Sequence, residues 1–244
     1  MRLAVWSGPR NLSTALMYSF GARADCTIWD EPFYAPYLAA TGIDHPLAAD
    51  VLAEHDADPI SVAERCAAPA PTPLMYQKHM AHHLLPGFPT DWMAACTHVL
   101  LLRHPARVLA SYHDRRQNPG LADIGAADLG RVAELVETAT GRPPVIIDSA
   151  DIRRAPAAAL SALCAAVGLI YDPAMLSWPK GGHAADGVWA SHWYAAVHAS
   201  TGFAPAEGPL PALPHRLTQV LVEALPHYEA LHERALRIEQ TGGT

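Results

Sequence analysis

Residues 7–14, Ser-Gly-Pro-Arg-Asn-Leu-Ser-Thr, connect a short apolar run to a helical pattern and carry the donors of an anion-binding turn. A turn from a strand into a helix points free backbone N–H groups and the positive end of the helix dipole at one spot. Arg10 adds a guanidinium for anionic oxygens, and Ser13 and Thr14 add hydroxyl donors. The segment predicts a phosphate or sulfate site, with an ordinary turn and a surface arginine as the alternative.

This segment lacks the lysine found in the phosphate loops of nucleotide triphosphatases. Those loops end in Gly-Lys-Ser/Thr, where the lysine contacts the β- and γ-phosphates and the hydroxyl contacts magnesium. Here Leu12 directly precedes Ser13. ATP hydrolysis is therefore disfavoured.

A second anion-binding candidate follows the most apolar run of the chain, Val-Leu-Leu-Leu at 99–102. Ligands of open α/β sheets lie at the carboxyl ends of the strands, which is where Arg103 emerges. Ser111 follows about two turns into the next helical pattern. We expect Arg103 and Ser111 to share one anion; the alternative is that Arg103 caps the sheet edge and Arg107 belongs to a solvated helix face.

Five short apolar runs, each followed by turn residues and a helical pattern, position these candidates. The runs are residues 3–6, 26–29, 74–77, 98–102 and 145–147. Such alternation is typical of βα units around a parallel sheet. We expect a single α/β domain over residues 1–244, with three layers and a central parallel sheet of about five strands.

Composition narrows the class of protein. The chain has 244 residues, 50% of them hydrophobic and 17% charged, which excludes disordered, collagen-like and coiled-coil proteins. Its net charge of -7 argues against nucleic acid or an anionic membrane as partner. No apolar run approaches the roughly 18 residues of a membrane span, and the start shows no signal-peptide pattern. Four widely spaced cysteines without zinc-like spacing complete the expectation of a cytoplasmic protein.

The two anion-binding candidates together resemble a known family. Residues 9–14 with Leu16 resemble the Pro-Lys/Arg-Ser-Gly-Thr-Thr loop of sulfotransferases that use 3′-phosphoadenosine 5′-phosphosulfate (PAPS). Arg103 and Ser111 resemble the family's Arg-x-Pro…Ser segment, with its eight-residue separation. The similarity continues in order through residues 145–148, 151–156 and 167–169 and covers most of the chain. Within this family, the sequence most resembles a divergent bacterial-type branch.

The resemblance implies a P-loop nucleotide-binding fold with PAPS as co-substrate and no metal ion. The donor's 5′-phosphosulfate would lie on a loop formed by Gly8, Arg10, Asn11, Leu12, Ser13 and Thr14. Arg103 and Ser111 would hold the 3′-phosphate, the group that separates PAPS from ATP. Leu12 departs from the family pattern because it takes the place of a glycine, where the backbone approaches the phosphate.

The same resemblance implies an acid–base pair. Asp-Glu-Pro-Phe at 30–33 is similar to the Glu-Pro-Phe segment of some carbohydrate sulfotransferases, and Lys78-His79 is similar to the Lys-Thr-His segment of cytosolic ones. Sulfuryl transfer needs a base for the acceptor proton and cations for the leaving phosphate. We expect Glu31 as base, Arg10 and Lys78 as cations, and His79 as a rival base. Alternatively, Glu31 caps a turn and His79 is a satisfied polar residue.

Two weaker features complete the set. Lys180 lies by the aromatic-rich stretch 178–203, where family members have a segment that closes over the donor, and is expected to meet a phosphate; core packing is the alternative. His79, His82 and His83 lack the carboxylate pattern of a helical metal site, so metal binding is disfavoured.

These patterns lead to one functional expectation and two alternatives. The expectation is sulfuryl transfer from PAPS to a hydroxyl or amine of a small-molecule or carbohydrate acceptor. A nucleotide-dependent small-molecule kinase and a non-catalytic nucleotide-binding protein of the same fold remain alternatives. The acceptor and the oligomeric state stay open, and the irregular stretches 36–73 and 177–214 are expected to shape the acceptor pocket.

Overall fold

The computed structural model describes residues 1–113 and 119–238. Its centre is a five-stranded, all-parallel sheet with the spatial order β2-β3-β1-β4-β5. The strands are β1 (Arg2–Ser7), β2 (Cys26–Asp30), β3 (Leu74–Met80), β4 (Thr97–Leu102) and β5 (Val145–Asp148). The predicted α/β class and the five predicted strands are confirmed.

Helices connect the strands and flank the sheet. The α-helices in the described ranges are α1 (Ser13–Gly21), α2 (Tyr34–Thr41), α3 (Ala48–Glu54), α4 (Pro59–Ala67), α5 (Pro105–His113), α6 (Leu121–Ile124), α7 (Ala126–Thr140), α8 (Ser149–Arg154), α9 (Pro156–Val167), α10 (Ala190–Trp193), α11 (Ala195–His198) and α12 (His215–His232). Short 3₁₀ turns cover Ala81–His83, Asp91–Ala95 and Pro173–Leu176. The stretch 36–73, irregular by sequence pattern, thus contains most of α2 and all of α3 and α4. Among these described helices, none has the length and apolarity needed to cross a membrane.

The core lies on both faces of the sheet. Along β1, Leu3 and Val5 face a cluster with α1 and α9, while Ala4 and Trp6 face a second cluster with α4 and α7. Because both faces are covered, β1 and β4 carry apolar residues on both sides of the pleat. The molecule therefore has three layers: helices, sheet, helices.

The strand order brings separated loops to one edge. Ser7 at the end of β1 pairs with Leu101 of β4 on one side and with Met80 of β3 on the other. Asp30 at the end of β2 pairs with Lys78. The loops that follow β1, β2, β3 and β4 consequently open on a shared crevice at the carboxyl edge, where ligands of such sheets bind.

Candidate functional site

A cavity of about 420 Å³ occupies this carboxyl edge. One end is formed by residues 9–15 of the loop after β1, together with Arg103 and Ser111. The other end is formed by acidic, aromatic and histidine side chains: Glu31, Tyr34, His45, His82, His83, Trp193 and Tyr194. The cavity thus has a cationic end and an end that carries a carboxylate.

The loop at the cationic end holds two residues in the left-handed backbone region. Arg10 has φ 62° and Leu12 has φ 71°, a conformation that normally favours glycine. Leu12 precedes α1 and supplies no side-chain cap to the helix N-terminus, so the first N–H groups of α1 have no capping partner from it. Strain in a loop of this kind persists only where the surroundings enforce it, and it often accompanies ligand binding.

Two residues shape the loop from behind. The amide of Asn11 is buried and donates from Nδ2 to the carbonyl of Leu101 in β4, at 3.2 Å. Gly8 packs so closely on α6 that a Cβ there would lie 2.6 Å from the carbonyl oxygen of Ile124. Asn11 also lines the cavity, whereas Gly8 acts through its backbone position.

The two predicted anion-binding segments meet at this end. Arg10 donates from Nε to the hydroxyl of Ser111 at 3.0 Å, across 101 residues of sequence. Arg103 donates from Nη1 to the backbone carbonyl of Arg10 at 2.6 Å. Ser13 and Thr14, at the start of α1, line the same cavity. Two guanidinium groups, three hydroxyls and a helix N-terminus therefore converge on one space.

The carboxylate end rests on a buried charge cluster. The ammonium of Lys78 donates to Asp30 Oδ1 at 2.9 Å, to Tyr194 Oη at 2.7 Å and to Glu31 Oε1. An ammonium has three protons, and these contacts use all of them. Tyr194 in turn donates to Asp30 Oδ2 at 2.8 Å and accepts from the indole of Trp189 at 3.0 Å.

Ionisation within this cluster follows from burial and pairing. Burial alone lowers the pKa of Lys78, but the carboxylates of Asp30 and Glu31 outweigh it, so that its pKa lies above the usual value. Burial raises the pKa of Asp30, against the opposing effect of Lys78. Burial, reinforced by Asp30, raises the pKa of Tyr194 well above its usual range. Lys78 is therefore a cation and Tyr194 a neutral phenol.

The structure separates Lys78 and His79 from the cavity. Lys78 is 1% exposed and supports Glu31, which does line the cavity. His79 points to the other face of β3, since consecutive strand residues alternate. Its ring stacks on Trp6 at 4.3 Å between centroids, and burial lowers its pKa well below the usual value. His79 is not among the residues that line the cavity, whereas Glu31 is.

Three other histidines, His45, His82 and His83, line the carboxylate end. His83 lies flat against Tyr34, with ring centroids 4.6 Å apart, and its Nδ1 is 3.7 Å from Glu31 Oε2. His82 lines the cavity beside it. Burial lowers the pKa of both, which keeps both imidazoles neutral. Within residues 1–113 and 119–238, no group of three or more His, Cys, Asp or Glu is arranged to hold a metal ion.

Lys180 stays outside the site, while sequence patterns missed other members. Lys180 is exposed and does not line the cavity. Tyr194, Trp189 and Asp30 were not predicted, although Tyr194 completes the Lys78 cluster. The available signals were the aromatic density of 178–203 and the position of Asp30 at the end of β2, directly before Glu31.

The chain is similar to one known protein family and to two plant proteins. Residues 1–235 match the family model described as sulfotransferase domain. The chain is 34% identical over 228 residues to branched-chain-amino-acid aminotransferase-like protein 1 of Arabidopsis thaliana and 33% identical over the same length to protein 2. Each match covers 93% of this chain and 40% of the relative, so the chain spans well under half the length of these relatives.

A solved structure shares the fold. A sulfotransferase from Alicyclobacillus acidocaldarius superposes with a TM-score of 0.56 at 14% sequence identity, covering 96% of each chain.

Proposed function

This chain belongs to the sulfotransferase family, and from that premise we propose that it moves a sulfuryl group from PAPS to a hydroxyl or amine of a small-molecule or carbohydrate acceptor. The observation that carries the proposal is the division of one cavity into an anion-binding end and a carboxylate end. A donor with two phosphate-like groups matches the first end, and an acceptor that must lose a proton matches the second.

At the anion-binding end, Arg10, Ser13 and Thr14 would bind the 5′-phosphosulfate at the N-terminus of α1. Arg103 and Ser111 would bind the 3′-phosphate. The contact of Arg10 with Ser111 supports this assignment because it holds the two groups of donors side by side. Leu12 already adopts the backbone conformation that a glycine would take, so the loop keeps its shape despite the departure in sequence.

At the other end, Glu31 would act as the general base. Its carboxylate is held by Lys78 through Oε1 and faces His83 through Oε2, and its own backbone has φ 42°. The acceptor oxygen or nitrogen attacks sulfur, its proton passes to Glu31, and the bond from sulfur to the 5′-phosphate oxygen breaks. The products are a sulfated acceptor and adenosine 3′,5′-bisphosphate, with Arg10 compensating the charge on the departing phosphate.

Lys78 takes a role different from the one expected from sequence. Because its three protons are bound and it lies behind Glu31, it would position the base and balance its charge rather than contact the leaving phosphate. It is a positioning residue in this proposal.

The name of the Arabidopsis relatives describes another chemistry, which this cavity does not favour. Aminotransferase chemistry with a pyridoxal cofactor requires a lysine that forms a Schiff base. The two lysines of this sequence are Lys78, which is buried behind Glu31, and Lys180, which is exposed outside the cavity. Neither presents an amine to the cavity.

Calorimetry and a transfer assay test the proposal. We expect adenosine 3′,5′-bisphosphate to bind more tightly than ADP or ATP without magnesium, and Arg103→Ala to lose that preference while staying folded. Glu31→Gln should still bind adenosine 3′,5′-bisphosphate. In assays with PAPS and a panel of phenols, alcohols and amines, its rate of forming the bisphosphate should be at least about 100-fold lower. Equal binding of all three nucleotides, or full activity of Glu31→Gln, would contradict the proposal.

A further inference from the structure

A carboxylate of the chain itself lies against the arginine assigned to the 3′-phosphate. Arg103, at the end of β4, donates from Nη2 to Oε1 of Glu207. Arg153 in α8 places Nη1 2.7 Å from the same oxygen, and Arg107 in α5 places Nε 3.4 Å from Oε2. Arg103 lies in the loop after β4, Arg107 in α5 and Arg153 in α8, and the Glu207 side chain they surround is 8% exposed.

Glu207 belongs to a segment that also forms part of the cavity wall. Residues 199–214 connect α11 to α12 without regular structure, and Gly202 and Ala204 within them line the cavity. The arginines hold the same segment by its backbone: Arg153 donates from Nε to the carbonyl of Pro205 at 2.9 Å, and Arg107 donates to the carbonyl of Gly208. Glu207 thus ties the cavity wall to the anion-binding end.

The single carboxylate of Glu207 does not neutralise this cluster of arginines. Three guanidinium groups carry three positive charges against one negative charge, which leaves an excess of two in a chain of net charge -7. Oε2 of Glu207 is buried and finds no hydrogen-bond donor among the described residues. A phosphate monoester carries a charge of roughly -1.5 to -2 and three acceptor oxygens. It therefore matches the excess positive charge of the three arginines better than Glu207 does.

We propose that Glu207 is a built-in competitor for the donor's 3′-phosphate: it holds Arg103 when the donor is absent and yields the guanidinium when the donor binds. The inference rests on the proposed function, since it requires a 3′-phosphorylated nucleotide. Release of Glu207 frees residues 199–214 from Arg103, so that donor binding is coupled to this wall of the cavity. Nucleotides without a 3′-phosphate have nothing to exchange for the ion pair and leave it in place.

The competition predicts a selective gain of affinity on removal of the charge. Glu207→Gln keeps the size of the side chain and abolishes the ion pairs. We expect it to bind adenosine 3′,5′-bisphosphate about tenfold or more tightly than the unmodified protein does, with ADP affinity unchanged within about twofold. Glu207→Asp keeps the charge but shortens the reach, and should give a smaller gain in the same direction.

Calorimetric titration of both nucleotides into the unmodified protein, Glu207→Gln, Glu207→Asp and Glu137→Gln tests this. Glu137 is a matched control because it is also paired with an arginine, Arg234, but lies on exposed surface. Thermal unfolding checks that each variant is folded. If Glu207→Gln does not fold, the bisphosphate affinity of Glu207→Asp tests the proposal instead.

The outcomes separate the two proposals. Selective tightening for the bisphosphate supports competition. If the unmodified protein prefers the bisphosphate but the Glu207 variants bind it equally or more weakly, Glu207 is a fixed support for Arg103 and this inference is wrong, while the proposed function stands. If the unmodified protein and the variants bind bisphosphate and ADP alike, the PAPS assignment itself fails, and the competitor role fails with it.

Discussion

The phenol of Tyr194 lies 2.7 Å from the ammonium of Lys78 and 2.8 Å from Asp30 Oδ2, although 116 and 164 residues separate it from these partners. Its oxygen accepts hydrogen bonds from Lys78 and from Trp189, and its hydroxyl donates a hydrogen bond to Asp30. The segment after α9 therefore supplies the group that completes the support of Glu31.

Tyr194→Phe tests how much this phenol contributes to the stability of the fold. The change deprives Lys78 and Trp189 of a buried acceptor and Asp30 of a donor, so we expect unfolding in urea to require about 1–3 kcal/mol less free energy. Tyr76→Phe is the matched control, because the Tyr76 hydroxyl is buried and has no hydrogen-bond partner among the described residues. Its removal should be neutral or stabilising. Equal costs for the two variants would contradict the assigned role of Tyr194.

Leu12→Gly tests the strain in the loop. At φ 71° a glycine relieves about 1–2 kcal/mol of backbone strain, which offsets the loss of a partly buried leucine side chain. We expect stability to change by less than about 1 kcal/mol. Leu12→Val should be clearly worse than Leu12→Gly, since a β-branched residue resists the left-handed region. Denaturant unfolding of both variants measures this, and a more stable valine variant would refute it.

Gly8→Ala tests the close approach of the loop to α6. A Cβ at this position meets the Ile124 carbonyl oxygen at 2.6 Å, so backbone must shift, at a cost of about 1–3 kcal/mol. Gly130 in α7 offers the control, because a Cβ there meets nothing within 4 Å. Gly130→Ala should stabilise by about 0.5–1 kcal/mol through helix propensity. Opposite signs for the two variants are the expected result in thermal and urea unfolding.

Buried histidines make stability fall as pH drops from 7.5 to 6. Burial lowers the pKa of His79 and His83 well below the usual 6.5, so the unfolded chain binds protons in this range that the folded chain does not. Above about pH 7 neither histidine lowers the free energy of unfolding. Below 6.5 each one does, because the unfolded chain takes up a proton, and by pH 6 the loss is about 0.8 kcal/mol for each. The raised pKa of Asp30, about 6, opposes this loss as the pH approaches 6, by about 0.4 kcal/mol at pH 6, because the folded carboxyl takes up a proton that the unfolded one does not. Urea unfolding at pH 7.5 and 6 measures the loss.

His79→Phe isolates one of these groups. The aromatic replacement keeps the stack on Trp6 and removes the titration, so its stability should depend less on pH than that of the unmodified protein. An unchanged dependence would show that His79 binds protons equally in the folded and unfolded chains, and would contradict the lowered pKa.

Local patterns were sufficient to predict the sheet and to place the proposed anion-binding loop at its edge. The runs at 3–6 and 99–102 are apolar on both sides of the pleat, as expected of strands covered on both faces, and both are observed as central strands. Arg103 directly follows β4, and Arg10 lies in the turn three residues after the end of β1. Because parallel strands end at a common edge, their positions in sequence already placed both at the cavity.

The face on which a side chain lies was harder to infer. Lys78 and His79 are neighbours in sequence and were predicted as a cation for the leaving phosphate and as a rival base. Alternation along β3 places Lys78 behind Glu31 and His79 against Trp6. Sequence alone did not indicate that β3 extends to Met80 and so carries both residues inside the strand.

The order of residues thus determined the strands, the turn after β1 and the two arginines at strand ends, because these depend on hydrophobic periodicity and on backbone direction, which are local. Only the tertiary structure decided that Tyr194 completes the Lys78 cluster and that Glu207 faces Arg103, Arg107 and Arg153. Those contacts join residues about 50 to more than 100 positions apart through irregular segments, where no period links sequence to direction in space. Charge pairing and burial stabilise these contacts once the fold has brought the segments together.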